Sequence, residues 1–198
     1  MMDLAALRNF FPEPLRSDAV HARHLVKESI QLMVLDYLSA SPYARDVVFI
    51  GGTNLRLVKG IDRFSEDLDF DCRGMSRDAF MRMTDACIVF LRRNGFHVES
   101  KDVENSRLKA FRRSIHFPGL LHGLGLSGHR DERFLLKIEC QDQHYSYTPA
   151  TAFIKGCGYA FPFPVPPDPI LCAMKLSALL SRGKGRDFYD AMFLLQQT

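Results

Sequence analysis

Hydrophobic and polar positions follow two different periods along the chain. Apolar residues that recur every three or four positions predict helices, and short apolar or alternating runs predict strands. Helices are predicted over residues 18–38, 53–59, 76–93, 168–180 and 186–196. Strands are predicted over residues 46–50, 68–72, 96–103, 108–117 and 133–141, with a further extended segment over 151–163. This order predicts an α+β fold, in which a mixed β-sheet is flanked by helices and followed by a short C-terminal helical segment.

Glycine, proline and hydroxyl residues indicate where these elements begin and end. Thr53 and Ser76 are the expected N-caps of the second and third helices. Residues 118–128 contain four glycines, which predicts a flexible loop. Five prolines between residues 162 and 169 are incompatible with a central strand or a helix interior, so we expect a linker there. It would divide the chain into a main domain over residues 1–165 and a helical segment over 166–198.

The composition is that of a globular protein with a sizeable core. The chain has 198 residues, of which 46% are hydrophobic, and its formal net charge of +3 permits a nucleic-acid partner without arguing for one. The N-terminal residues lack the pattern of a secretory signal, and no apolar run approaches the ~20 residues that span a bilayer, so we expect no membrane partner. The five cysteines are scattered without a C-x-x-C pair, which favours neither zinc nor disulfides. We therefore expect a cytoplasmic protein.

Three aspartates at alternate positions carry the most informative chemistry. Asp67, Asp69 and Asp71 would point to one side of the predicted strand, whereas Leu68 and Phe70 would point into the core. Neighbouring carboxylates in an apolar setting repel each other, and a divalent cation relieves that repulsion. Mg²⁺ favours carboxylate oxygens together with substrate phosphates. The pattern therefore predicts a magnesium site at Asp67 and Asp69.

A glycine turn precedes these aspartates and suits a phosphate group. Gly51 and Gly52 allow backbone N–H groups to approach a ligand, and the helix N-terminus after them favours an anion. Ser65 could donate to a phosphate oxygen, and Arg56 or Arg63 could offset negative charge. Alone, Gly-Gly fits an ordinary turn and Asp-x-Asp fits a solvated strand edge. Their combination is far more specific, and neither an EF-hand nor a Walker A loop fits the spacing.

The run FIGGTNLRLVKGIDRFSEDLDFD resembles the signature of the AbiEii/MenT-type toxin family, a branch of the DNA polymerase β-like nucleotidyltransferase superfamily. The resemblance implies a nucleotidyltransferase-like fold and two magnesium ions held by Asp67 and Asp69. It implies that Ser65 occupies the serine position of the Ser-x-Asp-x-Asp motif. The residues that it implies at the triphosphate are Gly51, Gly52 and Thr53.

A third carboxylate is expected from a later strand. Glu139 is the candidate for a third metal ligand or a base, although the superfamily usually has aspartate there. The alternative is an exposed glutamate paired with Lys137 on the same strand face.

The C-terminal region resembles the family motif K-L-x-A-L…R…R-D-x-x-D. The resemblance implies that Lys175 binds phosphate and takes part in catalysis, and that Asp187 is catalytic. The alternatives are a solvated lysine on the polar helix face and a helix N-terminal charge at Asp187. Asp190 is expected to be structural and to bond Arg182 or Arg186.

The implied activity is transfer of an NMP from an NTP to a hydroxyl of an RNA (tRNA for some relatives) or a protein acceptor. Mg²⁺ is the implied cofactor, and the chain would be the toxin of a toxin–antitoxin or abortive-infection system, with a cognate antitoxin as a further partner. Basic residues over 101–113 could hold RNA or form a solvated strand pair. The alternative function is a catalytically inactive nucleotide- or RNA-binding protein on the same scaffold.

Overall fold

A computed structural model describes residues 2–16, 19–101 and 110–197. The helices are α1 (Leu4–Arg8), α2 (Glu13–Arg16), α3 (Ala19–Ser39), α4 (Gly51–Asn54), α5 (Arg77–Arg93), α6 (Leu120–Gly123), α7 (Asp168–Arg182) and α8 (Gly185–Leu195). The strands are β1 (Val48–Ile50), β2 (Asp67–Asp71), β3 (Glu99–Lys101), β4 (Phe111–His116), β5 (Leu135–Gln141), β6 (Ala150–Gly156) and β7 (Tyr159–Val165). A π-helical turn, Leu55–Lys59, continues α4. None of the helices in these ranges is both long and apolar enough to cross a membrane.

Five strands form a mixed sheet in the order β1-β2-β5-β4-β3. β2 and β5 run parallel in adjacent positions, whereas the β1–β2, β4–β5 and β3–β4 pairs are antiparallel. In this register Asp69 lies beside Glu139, and Asp67 lies beside Lys137. The predicted α+β fold with a mixed sheet flanked by helices is confirmed.

Helix α3 lies in the hydrophobic core. Leu25, Ile30 and Leu35 are fully buried because α1, α2, α5 and β7 pack around this helix. Burying a side chain of this size stabilises the fold by roughly 1.5–3 kcal/mol. Three aromatic rings, those of Phe49, Phe70 and Phe163, meet with centroids about 6 Å apart and join the five-stranded sheet to the β6–β7 hairpin.

The two faces of β2 and β5 differ sharply in polarity because successive side chains alternate. The residues that face the core are Leu68, Phe70, Leu136, Ile138 and Cys140. The residues that face the other side are Asp67, Asp69, Lys137, Glu139 and Gln141. The fold therefore gathers the acidic residues of β2 and β5 on one side of the sheet, away from the core.

The expectation of a linker at the five prolines over residues 162–169 is wrong for Pro162 and Pro164. The predicted extended segment is a hairpin of β6 and β7, and Pro162 and Pro164 lie inside β7. A two-stranded sheet leaves one edge of each strand unpaired, so prolines two positions apart can both turn their nitrogen away from the partner strand. Cys157 and Gly158 form the turn with φ of 48° and 83°, as a two-residue type I′ hairpin requires. The division of the chain at residue 165 stays a prediction.

Three local expectations also change. The helix after β1 begins at Gly51 and not at Thr53, whose hydroxyl donates to the Asp67 carbonyl at 2.5 Å instead of capping. The glycine-rich loop over 118–128 contains α6. Of the strand predicted over 96–103, only Glu99–Lys101 is a strand, and residues 102–109 lie outside the described ranges. The N-cap at Ser76 is confirmed, because its side chain accepts from Ala79 N.

Candidate active site

A pocket of about 420 Å³ opens between the acidic sheet face, the β1–α4 turn and helix α7. Asp69, Glu139 and Gln141 of the sheet border it, together with Gly51 of the turn. Helix α7 adds Leu171, Met174, Lys175, Ser177, Ala178, Ser181 and Arg182. Most sequence motifs singled out above therefore contribute a residue to one cavity.

Glycine is the only residue type that fits at position 51, which borders this pocket. Its φ of +84° lies in the left-handed region, which side chains rarely adopt. A Cβ at this position would lie 2.1 Å from Asp69 Oδ2. A Cβ on Gly52 would lie 2.7 Å from Ser65 Oγ and 2.8 Å from a terminal nitrogen of Arg63. The two glycines thus allow the turn to press directly against the acidic strand and the segment before it.

The carboxylates on the sheet face repel one another. Burial, together with the neighbouring Glu139 and Asp67 carboxylates, raises the pKa of Asp69 to about 6, although Lys175 and Arg182 oppose the rise. Burial likewise raises the pKa of Asp67, partly offset by Lys137. Oxygen ligands crowded in this way, with their pKa values raised, favour a bound cation. The donor chemistry therefore fits a divalent ion.

Two of the three carboxylates already have cationic partners. Glu139 forms a bidentate pair with Arg112, with Nε–Oε1 at 2.7 Å and Nη2–Oε2 at 3.1 Å. Lys137 lies 3.5 Å from Asp67 Oδ2, so the alternative of a Lys137–Glu139 pair is wrong. Within the described ranges, no group of three or more His, Cys, Asp or Glu side chains is arranged to hold a metal ion. The pair Asp67 and Asp69 is therefore the better candidate for the ligands, with Glu139 held by its arginine.

Lys175 is buried in α7 and belongs to a charged network. Its Nζ donates to Asp190 Oδ2 at 3.0 Å, and Arg63 donates to both oxygens of Asp190 at 2.7 Å. Burial lowers the pKa of Lys175, while Asp190 and Asp69 raise it. Burial alone would raise the pKa of Asp190, but Arg63 and Lys175 together lower it. The solvated-lysine alternative is wrong, and so is the expectation that Asp190 bonds Arg182 or Arg186.

Asp187 is buried behind the pocket wall. Its Oδ1 accepts from Arg182 Nη2 at 2.9 Å, and its Oδ2 accepts from the backbone N–H of Lys184 at 3.2 Å. These bonds fix the start of α8 and hold the Arg182 guanidinium beside the pocket. In the structure Asp187 therefore positions Arg182 and the start of α8, and its predicted catalytic role stays a prediction.

The remaining nucleotide-binding candidates lie around the glycine turn. Thr53 is buried, and its hydroxyl is taken by the Asp67 carbonyl. Arg56 donates to Glu28 at 2.9 Å and lies 4.6 Å over the ring of Phe64. Ser65 packs against Gly52, and neither residue borders the pocket. The side chains of Thr53 and Arg56 thus stabilise the turn, which leaves backbone N–H groups as the donors that it offers to a ligand.

The basic segment over 101–113 is only partly described. Arg113 is buried and bonds Thr84 and Ser100, and Arg112 pairs with Glu139. Its residues 102–109, which include Arg107 and Lys109, lie outside the described ranges. The two described arginines therefore serve the fold and the acidic site.

Sequence reasoning missed several neutral residues of the pocket, among them Gln141, Gln143 and Tyr145. Gln141 could have been found, because it is two positions after Glu139 on the same strand face. Gln143 and Tyr145 lie in a segment without regular structure, for which the hydrophobic pattern gives no signal.

Comparisons with known proteins bear on the family and the fold. A family model described as "Nucleotidyl transferase AbiEii toxin, Type IV TA system" matches residues 33–198. The fold is similar to that of MenT4, a nucleotidyltransferase toxin from Mycobacterium tuberculosis H37Rv, with a TM-score of 0.68 and 18% identity over 96% of this chain and 63% of that one. It is also similar to JHP933 from Helicobacter pylori, with a TM-score of 0.60 and 21% identity over 87% of this chain and 66% of that one. The chain thus spans just under two thirds of the length of these relatives. A search of curated proteins found no match.

Proposed function

The chain belongs to the AbiEii nucleotidyl transferase toxin family, and from that premise we propose that it moves an NMP from an NTP to a hydroxyl of another molecule. The observation that carries the proposal is the contact of the Asp69 carboxylate with Gly51 in a pocket that also holds Lys175 and Arg182. Acidic ligands, a glycine turn and cationic side chains are the groups that a triphosphate and its counter-ion require.

Mg²⁺ is the proposed cofactor, with Asp67 and Asp69 as its protein ligands. Mg²⁺ commonly combines one or two carboxylates with phosphate oxygens and water, so two aspartates on one strand face suffice. When bound, the ion would neutralise phosphate charge and polarise the reacting phosphoryl group. The raised pKa of Asp69 indicates that this carboxylate gains from a cation nearby.

The triphosphate is proposed to lie between the glycine turn and α7. Gly51 and Gly52 begin a continuous helical stretch that runs to Lys59, and its N-terminal N–H groups favour an anion. Lys175 and Arg182 would offset the phosphate charge from the opposite side. Because the Lys175 ammonium donates a hydrogen bond to Asp190, it is held in one position instead of sampling many rotamers.

In the proposed reaction the acceptor oxygen forms a bond to the α-phosphorus, and the bond from that phosphorus to the β-phosphate bridging oxygen breaks. Pyrophosphate leaves with the bridging oxygen, and the hydroxyl proton passes to a base. Glu139 is the proposed base, and it borders the pocket. Its bidentate pair with Arg112 occupies both carboxylate oxygens, so that pair must loosen before Glu139 accepts a proton.

RNA, including tRNA, or a protein is the proposed acceptor, because both present hydroxyl groups. By its family the chain is further proposed to act as a toxin that a cognate antitoxin restrains. The cytoplasm is the proposed compartment, since NTPs and RNA are abundant there.

One observation favours a second candidate function. Lys137 lies 3.5 Å from Asp67 Oδ2, so a lysine already pairs with one of the two proposed metal ligands. A catalytically inactive nucleotide- or RNA-binding protein would use the same pocket with this pair intact. It would bind an NTP without transferring any part of it.

An assay with labelled NTPs and either total RNA or purified protein separates the two candidates. The key variant is Asp69→Asn, and the matched control is Asp62→Asn, whose side chain is 99% exposed. We expect the wild type and Asp62→Asn to transfer label in Mg²⁺ and to lose transfer in EDTA, while Asp69→Asn is inactive but folded. NTP binding by the wild type with no transfer to either acceptor would favour the inactive protein.

A further inference from the structure

The segment over residues 142–147 follows β5 and is fixed in place without helix or strand. Asp71 holds it from β2: Oδ1 accepts from Gln143 N at 2.9 Å, and Oδ2 accepts from the Tyr147 hydroxyl at 2.5 Å. Within the segment, Asp142 Oδ1 accepts from His144 N at 2.7 Å. The buried carboxylate of Asp71 thus bonds two points on either side of Tyr145.

Arg73 fixes the same segment from a second side. Its guanidinium lies 4.2 Å from the Tyr147 ring centroid, and its Nη2 donates to the Tyr147 carbonyl at 2.6 Å. Burial and the bond to Asp71 raise the pKa of Tyr147, so its hydroxyl stays protonated as a donor. A non-helical segment held by this many polar contacts presents its side chains in a fixed geometry.

The side chains presented in this way form the neutral end of the pocket. Gln143 and Tyr145 join Gln141 in its wall. Along β5, Gln141 follows Glu139 by two residues, which separates the two positions by roughly 6–7 Å. Asp69 and Glu139 lie side by side in the sheet register, and Gln141 lies two residues further along β5. The pocket therefore has a charged end, at Asp69, Glu139, Lys175 and Arg182, and a neutral end, at Gln141, Gln143 and Tyr145.

We propose that the neutral end of the pocket binds the nucleobase of the NTP, with Tyr145 stacking on the base and Gln141 and Gln143 hydrogen bonding to its edge. This inference rests on the proposed function, because it needs the triphosphate at the charged end. An aromatic face accepts any base, whereas a carboxamide offers both donors and an acceptor and so discriminates among bases. Gln143 Nε2 already donates one hydrogen to the backbone carbonyl oxygen of Gln141, at an N–O distance of 3.4 Å. The side-chain oxygen and the second N–H of Gln143 remain for a ligand.

The test is equilibrium binding of each of the four NTPs, and of inorganic tripolyphosphate, to the wild type and to Tyr145→Ala in Mg²⁺. Tripolyphosphate carries the charges but no base. Loss of base–aromatic stacking should weaken binding of the preferred NTP by about 5- to 150-fold. Tripolyphosphate binding should stay within about twofold of wild type, because the variant does not change the charged end.

Tyr145→Phe is the matched control, since it keeps the ring and removes only the hydroxyl. We expect it to bind NTPs within about threefold of wild type. Equal NTP affinity of Tyr145→Ala and wild type would overturn the proposal. Equal weakening of NTP and tripolyphosphate would also overturn it, because the residue would then act on the phosphates or the fold. If the wild type binds neither the NTPs nor tripolyphosphate, the proposed function itself is refuted. That result comes from the wild type alone, so it is distinct from a failure of the base-binding proposal.

Tyr147 and Asp71 are positioning residues in this account. Tyr147→Phe removes the hydroxyl that Asp71 accepts while it keeps the ring under Arg73. We expect a higher KM for the NTP with little change in kcat, because the base platform loosens while the charged end stays intact. A fall in thermal stability with unchanged KM would show that Tyr147 is only structural and would remove it from the proposal.

Discussion

Replacing Gly51 with alanine should harm the pocket more than backbone strain alone explains. A φ of +84° costs a non-glycine residue roughly 1–2 kcal/mol. The new Cβ would lie 2.1 Å from Asp69 Oδ2 and 2.7 Å from Asp69 Cβ, so rotating the carboxylate does not remove the overlap. The turn or β2 must therefore move by roughly 1 Å to restore ordinary contact distances.

Gly60 offers a matched control for this change. It ends the π-helical turn with a φ of +76°, and a Cβ there would meet no atom within 4 Å. Gly60→Ala should lose only the backbone contribution, roughly 1–2 kcal/mol. Gly51→Ala should lose a further ~1–3 kcal/mol from overpacking. A displacement of about 1 Å at a reacting centre can reduce the rate by roughly 100-fold, so we expect a loss of that order in kcat/KM for transfer.

The assay combines urea unfolding with transfer from a labelled NTP for the wild type and both variants. The expected result is a modest stability loss with near-normal transfer for Gly60→Ala, and a larger loss with severely reduced transfer for Gly51→Ala. If both variants lose the same stability and both keep full transfer, the contact between Gly51 and Asp69 has no functional weight and the reasoning fails.

Three further predictions follow from the charged groups and the core. The folded-state pKa of Asp69, about 6, exceeds its ordinary value of 3.8, so its ionisation should destabilise the fold progressively as the pH rises from about 4 to 6, and fully above pH 6. In EDTA, Asp69→Asn should therefore be more stable than the wild type at pH 8, with the difference vanishing near pH 4 in urea titrations; a constant difference would refute the pKa shift. Asp190→Ala leaves Lys175 and Arg63 without their partner and should cost roughly 3–5 kcal/mol in thermal unfolding. The exposed pair of Asp168 with Lys59 should contribute less than about 1 kcal/mol, so equal losses in Asp190→Ala and Asp168→Ala would contradict the role of burial. Phe49→Ala should cost about 3–5 kcal/mol by leaving a cavity among the packed rings, and a loss below 1 kcal/mol in the same experiment would contradict that packing.

Local patterns were sufficient for the acidic strand and the glycine turn. The alternation of Asp67, Leu68 and Asp69 determines which side of a strand each residue faces, and the structure keeps that alternation. Ser76 was recognisable as an N-cap because capping depends only on the next few residues. The helices α3, α5, α7 and α8 and most strands followed for the same reason.

Long-range pairing could not be obtained from these patterns. The partners of Asp190 are Arg63, 127 positions earlier, and Lys175, one helix earlier, and no spacing rule connects the first pair. The hairpin with prolines was missed because the rule against proline in strands holds for central strands and not for an unpaired edge. Tyr145 was missed because its position depends on the contacts of Asp71 and Arg73 with Tyr147.

The position of the label on the NTP provides the most direct test of the central claim. Wild-type protein is incubated in Mg²⁺ with total RNA or purified protein and an NTP labelled at either the α- or the γ-phosphate. If an NMP is transferred, the acceptor should carry the α-label and no γ-label, and pyrophosphate should be released from the NTP. Retention of the γ-label, or no label from either NTP in the presence of tight NTP binding, would contradict the account.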